Sequence, residues 1–335
     1  MAKIVFMWSP EHAPMRKLSI ILPDDYKIEL FDPEKTYPSH TVFYYDMYGG
    51  YHDCIPSQLT QGHRVVFDAK NEHYVHHHFR WVLDLFLTNP GQGCFVISGD
   101  QPDPLPGVEI IATPYWYWIM DQHNFRETGL DQQQRNFNIT HKFFMSMGLQ
   151  RLERDYLYDS LVDVLPQSLH SYRARGVELP DDRMDIVLWQ RYVNPAWIDS
   201  TAFTLAVETY IDHLALTGYS ITQRNHLFLC EKSYKPIAAQ HPLLMVSTHN
   251  NLAYLRSQGF ETFPELFDES YDDILDWRQR VQRIVEIIKQ FDIKSVQQPT
   301  VQEKTRYNHA RFFDQSLVKQ LAQQTIQQPL WSFMS

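Results

Sequence analysis

Six charged side chains in three stretches carry the chemistry most legible in this sequence. Glu231, Lys232 and Lys235 follow the apolar residues Leu227 to Leu229 and open a short amphipathic helix. At such a loop-to-helix junction, backbone N–H groups and the helix dipole favour an anion. A carboxylate beside two ammonium groups suits a phosphorylated sugar: the carboxylate takes ribose hydroxyls and the ammonium groups take phosphate oxygens. Lys232 is expected to face solvent or ligand. Arg151 and Arg154 lie three apart at a strand-to-helix turn after Gly148. That spacing puts both guanidinium groups on one side of a helix start, where they would neutralise a diphosphate and stabilise a departing nucleotide. Plainer roles stand beside these: a surface ion pair for Glu231 and Lys232, a snorkelling Lys235, and arginines solvated or paired with Glu153 or Asp155. Glu208 follows the apolar run Phe203 to Val207 and sits at a strand's carboxyl end. On the residues alone it caps the next helix or pairs with an arginine.

These residues need a scaffold of alternating strands and helices. After the helix at Glu231 comes an apolar strand, Pro242 to Val246, then a helix from Asn250 to Gln258 closed by Gly259. That is one segment of a doubly wound α/β domain, whose ligands sit outside the carboxyl ends of the strands. Earlier in this half, Lys142 to Met147, Ser168 to Tyr172 and Phe203 to Val207 read as strands. Leu157, Leu161, Val164 and Leu165 repeat at helical spacing. A long helix is expected over Asp272 to Phe291, with Ile274, Val281, Ile284, Val285 and Ile288 on one face. The N-terminal part gives strands at Lys3 to Met7, Tyr26 to Phe31, Thr41 to Tyr45, Arg64 to Phe67, Cys94 to Ser98 and Val108 to Ala112. A helix from about Tyr74 to Leu87 lies among them. The polar stretch 121–140 lacks apolar periodicity and marks a boundary. The expected division is an α/β domain over 1–125, a linker over 126–140, an α/β domain over 141–296 and a helical tail over 297–335. The tail is Gln-rich, with a helix at Gln315 to Ile326 that returns to the first domain.

Several segments, in order, resemble a known family. Glu231-Lys232, the helix with Pro236 and Ala238, and Pro242-Leu-Leu-Met-Val-Ser247 resemble the donor motif of fucosyltransferase-like enzymes with the glycosyltransferase B fold. The longer run through Leu255 to Phe263 and Asp268 to Asp272 is similar to glycosyltransferases encoded by phages. The resemblance covers roughly residues 140–290. It implies two Rossmann-like doubly wound domains facing a cleft, with a UDP- or GDP-sugar donor in the C-terminal domain and the acceptor in the N-terminal one. It implies that an arginine at the turn of Arg151 and Arg154 contacts donor phosphates, and that Glu208 touches the donor's sugar or ribose. No cofactor is expected, because the basic residues replace a divalent cation. A hydroxymethylated pyrimidine in phage DNA is one acceptor in keeping with this likeness; surface glycans and proteins are others. For DNA, Arg64, Lys70, Arg80 and Arg126 would supply a basic strip. An inverting transfer needs a base. Asp100 and Asp46 are the candidates preferred over Glu11 and His12, although loop aspartates more often make turns and caps. A retaining mechanism needs no such base. A non-catalytic nucleotide sensor is the competing class.

Composition narrows the field. The 335 residues suffice for two domains, and 44% hydrophobic content supplies two cores. A formal net charge of −10 argues against a surface wholly devoted to nucleic acid. Cys54, Cys94 and Cys230 lack disulfide or metal spacing. With no apolar run of membrane-spanning length and no signal pattern at the N-terminus, a cytoplasmic protein without membrane insertion is expected. No P-loop, G-x-G-x-x-G or G-x-S-x-G signature occurs. His73 and His77 have zinc spacing but no third ligand, so a polar helix start or a pH-sensitive patch fits them better. Tyr115 to Trp118 reads as core packing or a stacking platform.

Overall fold

Short apolar runs make the strands, and β-strands such as Gly93–Ser98 and Thr201–Val207 are buried along their whole length, as the central strands of parallel sheets are. The computed structural model describes residues 3–7, 28–32, 34–39, 41–46, 52–69, 80–99, 104–114, 116, 138–179, 194–212, 227 and 229–334. The chain divides into two compact units. The first comprises Met1–Trp118, Thr217–Phe228 and Gln315–Ser335; the second comprises Ile119–Leu216 and Leu229–Asp314. Both are α/β, each built on a wholly parallel sheet. Among the described residues, no helix is long and apolar enough to cross a membrane.

The first unit holds β1 (Lys3–Phe6), β2 (Ile28–Leu30), β3 (Thr41–Asp46), β4 (Arg64–Ala69), β5 (Gly93–Ser98) and β6 (Val108–Thr113). They are ordered β2-β1-β3-β4-β5-β6. Every residue of β5 is buried, as a central parallel strand covered on both faces requires. Helices α1 (Ile55–Thr60) and α2 (Arg80–Thr88) belong to this unit. Val82, Leu83 and Phe86 of α2 enter a core with Phe43, Phe67, Phe95 and Ile97. Gly93 is required where α2 meets β5, because a Cβ there would stand 2.1 Å from the Phe86 ring.

The second unit holds β7 (His141–Met147), α3 (Leu152–Ser160), β8 (Leu169–Tyr172), α4 (Pro195–Asp199) and β9 (Thr201–Val207). It continues with α5 (Glu231–Ala238), β10 (Leu243–Val246), α6 (Asn251–Ser257), α7 (Trp277–Gln290) and α8 (Pro299–Phe312). Its strands are ordered β10-β9-β7-β8. Gly259, just past α6, takes the left-handed conformation at φ 82° that ends the helix. The expected helix over Asp272 to Phe291 starts instead at Trp277, because the Asp276 side chain caps it by accepting from the Gln279 N–H at 2.9 Å.

Residues 299–314 fall in the second unit rather than in a tail. There α8 lies on α5, with the Phe312 ring 6.4 Å from that of Tyr234 and His309 Nδ1 2.8 Å from the Ala238 carbonyl. Beyond it, α9 (Gln315–Ala322) and α10 (Gln328–Met334) belong to the first unit, where the chain from Gln323 onward approaches β6. Between these helices the wider turn Gln323–Gln327 keeps Val318, Ala322, Ile326, Leu330 and Met334 buried at a constant spacing of four. On a regular helix that spacing drifts by about 40° per step; the π turn offsets part of the drift.

Candidate functional site

The order of the second sheet reverses beside β7. The chain leaves β7 toward β8 on one side and leaves β9 toward β10 on the other. Open parallel sheets hold their ligands at the carboxyl ends of the strands flanking such a reversal. Arg151 and Arg154 follow β7, and Glu208 follows β9, so all three stand there.

Arg154 is only 4% exposed. Its guanidinium donates to main-chain carbonyls from both strand exits, Leu149 at 3.0 Å and Glu208 at 3.3 Å. Arg151 lies over the Tyr210 ring, 4.7 Å from its centre. Neither arginine has a carboxylate partner among the described residues, and the Nε of each is buried without an acceptor. Burial, then the repulsion of Arg151, lowers the pKa of Arg154, with Cys230, Tyr172 and Glu208 opposing. Two like charges held together in this way are stabilised by an anion between them.

Among the described residues, α3, α5 and α6 start at this edge of the sheet, and the chain's own carboxylates stand at two of these starts. Glu208, 2% exposed, accepts from the Cys230 N–H at 3.1 Å and from the Ser233 hydroxyl, capping α5. Asp272 accepts from the Leu252 and Ala253 N–H groups at 3.0 and 3.3 Å at the start of α6. The third start, that of α3, has no side-chain cap; Arg151 is its N-cap residue and Arg154 lies in its first turn. A helix of nine residues thus presents its unpaired N–H groups beside two guanidinium groups. The start of α3 thus keeps its N–H groups beside two guanidinium groups, while Glu208 stands at the start of α5, the junction that carries Glu231, Lys232 and Lys235.

Those three residues are nevertheless close by. Lys232 does not face solvent: its side chain is 16% exposed and donates to Glu231 Oε1 at 2.8 Å, Cys230 Sγ at 3.2 Å and Thr209 Oγ1 at 3.3 Å. Burial pushes the Glu231 carboxyl up, but Lys232 and Lys235 overcome it and hold the group at about 2. Burial opposes the Lys232 charge, yet Cys230, Glu231 and Glu208 raise its pKa overall. Burial, with Glu208 and Glu231, pushes the Cys230 thiol well up, and its S–H donates to Glu208 Oε2 at 2.6 Å. Tyr234 is a core residue, its hydroxyl on Gln258 at 2.6 Å.

The exit of β9 gathers the cations. Three consecutive residues each meet a different one: the Glu208 carbonyl takes Arg154, the Thr209 hydroxyl takes Lys232, and the Tyr210 ring carries Arg151. The next carbonyl, Ile211, accepts from Arg280 of α7. Sequence reading overlooked Tyr210 and Arg280. A signal existed for Arg280, since it lies three residues after Trp277 and four before Ile284, within the apolar stripe of α7.

In the first unit, Asp46 ends β3 and pairs in register with Asp68 of β4. Asp68 is buried and accepts a hydrogen bond from the Tyr44 hydroxyl. Asp100, Glu11, His12, Lys70, His73, His77 and Arg126 lie outside the described residues. Arg64 lies 5.9 Å from the Phe333 ring, and Arg80 is 3.8 Å from Asp84 one helical turn on. Trp116 is fully buried. Among the described residues, no cluster of three His, Cys, Asp or Glu side chains is arranged to hold a metal. No protein-family model matches the chain, and none of the curated proteins compared with it matches either.

Proposed function

We propose that the second unit binds a nucleotide-diphosphate sugar, a UDP- or GDP-sugar, at the reversal between β7 and β9. In this reading the protein is a glycosyltransferase of the B type that passes the sugar to an acceptor. The observation that carries the proposal is the convergence of Arg151, Arg154 and Lys232 on three consecutive residues, Glu208 to Tyr210, beside the uncapped start of α3. Lys232 and Lys235 act on Glu231, which leaves the guanidinium groups of Arg151 and Arg154 to meet the diphosphate. The donor's diphosphate lies against the N–H groups of α3, with Arg151 and Arg154 on its oxygens. When the bond to the sugar breaks, negative charge grows on the departing phosphate, and a guanidinium already desolvated and fixed stabilises it without rearrangement. Glu208 acts in this scheme through the cap it gives α5. The arginines do here what a divalent cation does in other transferases, so turnover persists in chelator. The base of an inverting transfer is Asp46 or Asp100, and the acceptor is a hydroxymethylated pyrimidine in DNA, a glycan or a protein.

The test is a thermal-shift and calorimetric screen of UDP, GDP and their sugars against the wild-type chain and Arg151→Ala. One nucleotide family should stabilise the wild-type protein by mass action and lose most of that effect in the variant. Release of free sugar from the stabilising donor would mark an enzyme, whereas binding with neither hydrolysis nor transfer would mark a nucleotide sensor. If no nucleotide binds, the assignment fails.

A further inference from the structure

We propose that Arg280 is the positioning residue of this cation cluster, holding the exit of β9 in the one register that lets Arg151, Arg154 and Lys232 meet. The proposal rests on the anion-binding reading above and concerns how that site is kept in shape. Arg280 comes from α7, remote in sequence from every cation it serves, and is 1% exposed. Its donors all go to main-chain carbonyls: Nε to Ser247 at 2.9 Å, Nη1 to Ile274 and to Leu275 at 3.2 Å, and Nη2 to Ile211. One planar group thus ties together the residues following β9, the residues following β10 and the turn that leads into α7.

Placing a guanidinium there is costly. Burial lowers its pKa to about 10, with Asp272, Asp212 and Asp276 opposing, and no carboxylate among the described residues bonds it directly. An apolar side chain of similar length would fill the volume without desolvating a charge. What an apolar group cannot supply is the rigid fork that fixes several carbonyls at once. Because Ile211 follows Tyr210 directly, fixing its carbonyl limits the backbone freedom of Glu208, Thr209 and Tyr210, the three contacts of the cations. A shift of about 1 Å in that segment would displace the contacts of Arg151, Arg154 and Lys232, and misplacement on this scale is costly to binding and catalysis.

Inorganic pyrophosphate, titrated calorimetrically into the full chain, reads the cluster without involving any acceptor. Arg280→Lys retains the charge but not the fork. It should weaken pyrophosphate binding about tenfold in the wild-type background and by less than about threefold beside Arg151→Ala, because both changes then act on the same contact. Equal factors in the two backgrounds, or undiminished binding in Arg280→Lys, overturn the positioning role. Should Arg280→Lys not fold, Ile211→Gly takes its place. That variant loosens the same segment at the carbonyl that Arg280 holds and deletes no contact to a cation, so several-fold weaker binding is expected, while unchanged binding overturns the proposal. Wild-type protein that fails to bind pyrophosphate removes the anion-binding reading itself. Wild-type binding with an unaffected variant removes only the part assigned to Arg280.

Discussion

Glu231→Gln keeps the shape of its side chain and removes only the charge, which makes it the sharpest probe of the buried network. The carboxyl is held at about 2 against an ordinary 4.5, the Lys232 and Lys235 ammonium groups outweighing the cost of burial. Each pKa unit corresponds to about 1.4 kcal/mol, so the pairing supports about 3 kcal/mol of folding stability at neutral pH. Because the folded value lies below the unfolded one, that contribution is complete above about pH 4.5 and disappears as the pH falls toward 2. The variant never has it. Urea unfolding of both proteins at several pH values should show a gap of about 3 kcal/mol at pH 7, shrinking to about 1 kcal/mol at pH 3. Other acidic groups titrate in the same range but in both proteins, so the difference isolates Glu231. A gap that stays constant with pH, or no gap at pH 7, would refute the claim that Lys232 and Lys235 hold this carboxylate in its charged form.

Three further outcomes follow from the geometry. Lys232→Ala should cost about 3–5 kcal/mol of stability, since it strands the buried Glu231; calorimetric melting checks this, and an unchanged Tm would mean that the pair is exposed in solution. Arg154→Ala should lower the kcat of the proposed transfer about 100-fold while shifting donor affinity far less, a split that steady-state kinetics would show and that equal effects would contradict. Gly93→Ala should destabilise the first unit by about 1–3 kcal/mol through the collision with Phe86, measured by urea unfolding; a neutral result would show that α2 can move away from β5 without cost.

The strands were legible because buried parallel strands are written in apolar runs, as in Gly93–Ser98 and Leu243–Val246. The packing of helix α8, within the expected helical tail, was not, and its composition explains why. Its buried positions are Val301, Thr305, Asn308 and Phe312, helically spaced but half polar. Asn308 is buried because its amide exchanges two hydrogen bonds of 2.8 Å with the main chain of Glu261, a partnership invisible in sequence. The arginines after β7 and Glu208 after β9 were found from their position at strand ends. That Glu208 turns toward α5 rather than toward an arginine depends on the fold, since its partners Cys230 and Ser233 lie more than twenty residues on. The same holds for Asp272, which caps α6 instead of opening its own helix.

The cations at this site also fix how binding should depend on pH. Arginine stays protonated around neutral pH. Glu231 is held at about 2, and the pKa of Lys232 is raised. These charges therefore stay constant between about pH 5.5 and 8, and any change in affinity must come from the ligand. A terminal phosphate loses its second proton near pH 6. Pyrophosphate and a free nucleoside diphosphate should thus bind more tightly as the pH rises through that region. A nucleotide sugar, whose diphosphate is esterified at both ends, has no such proton to lose, and its affinity should stay flat. Calorimetric titration of both ligand types across this range gives the comparison. A nucleotide sugar whose binding weakened sharply with rising pH would show that a titrating protein group, such as a histidine, contacts the ligand, and that the arginines are not its main support.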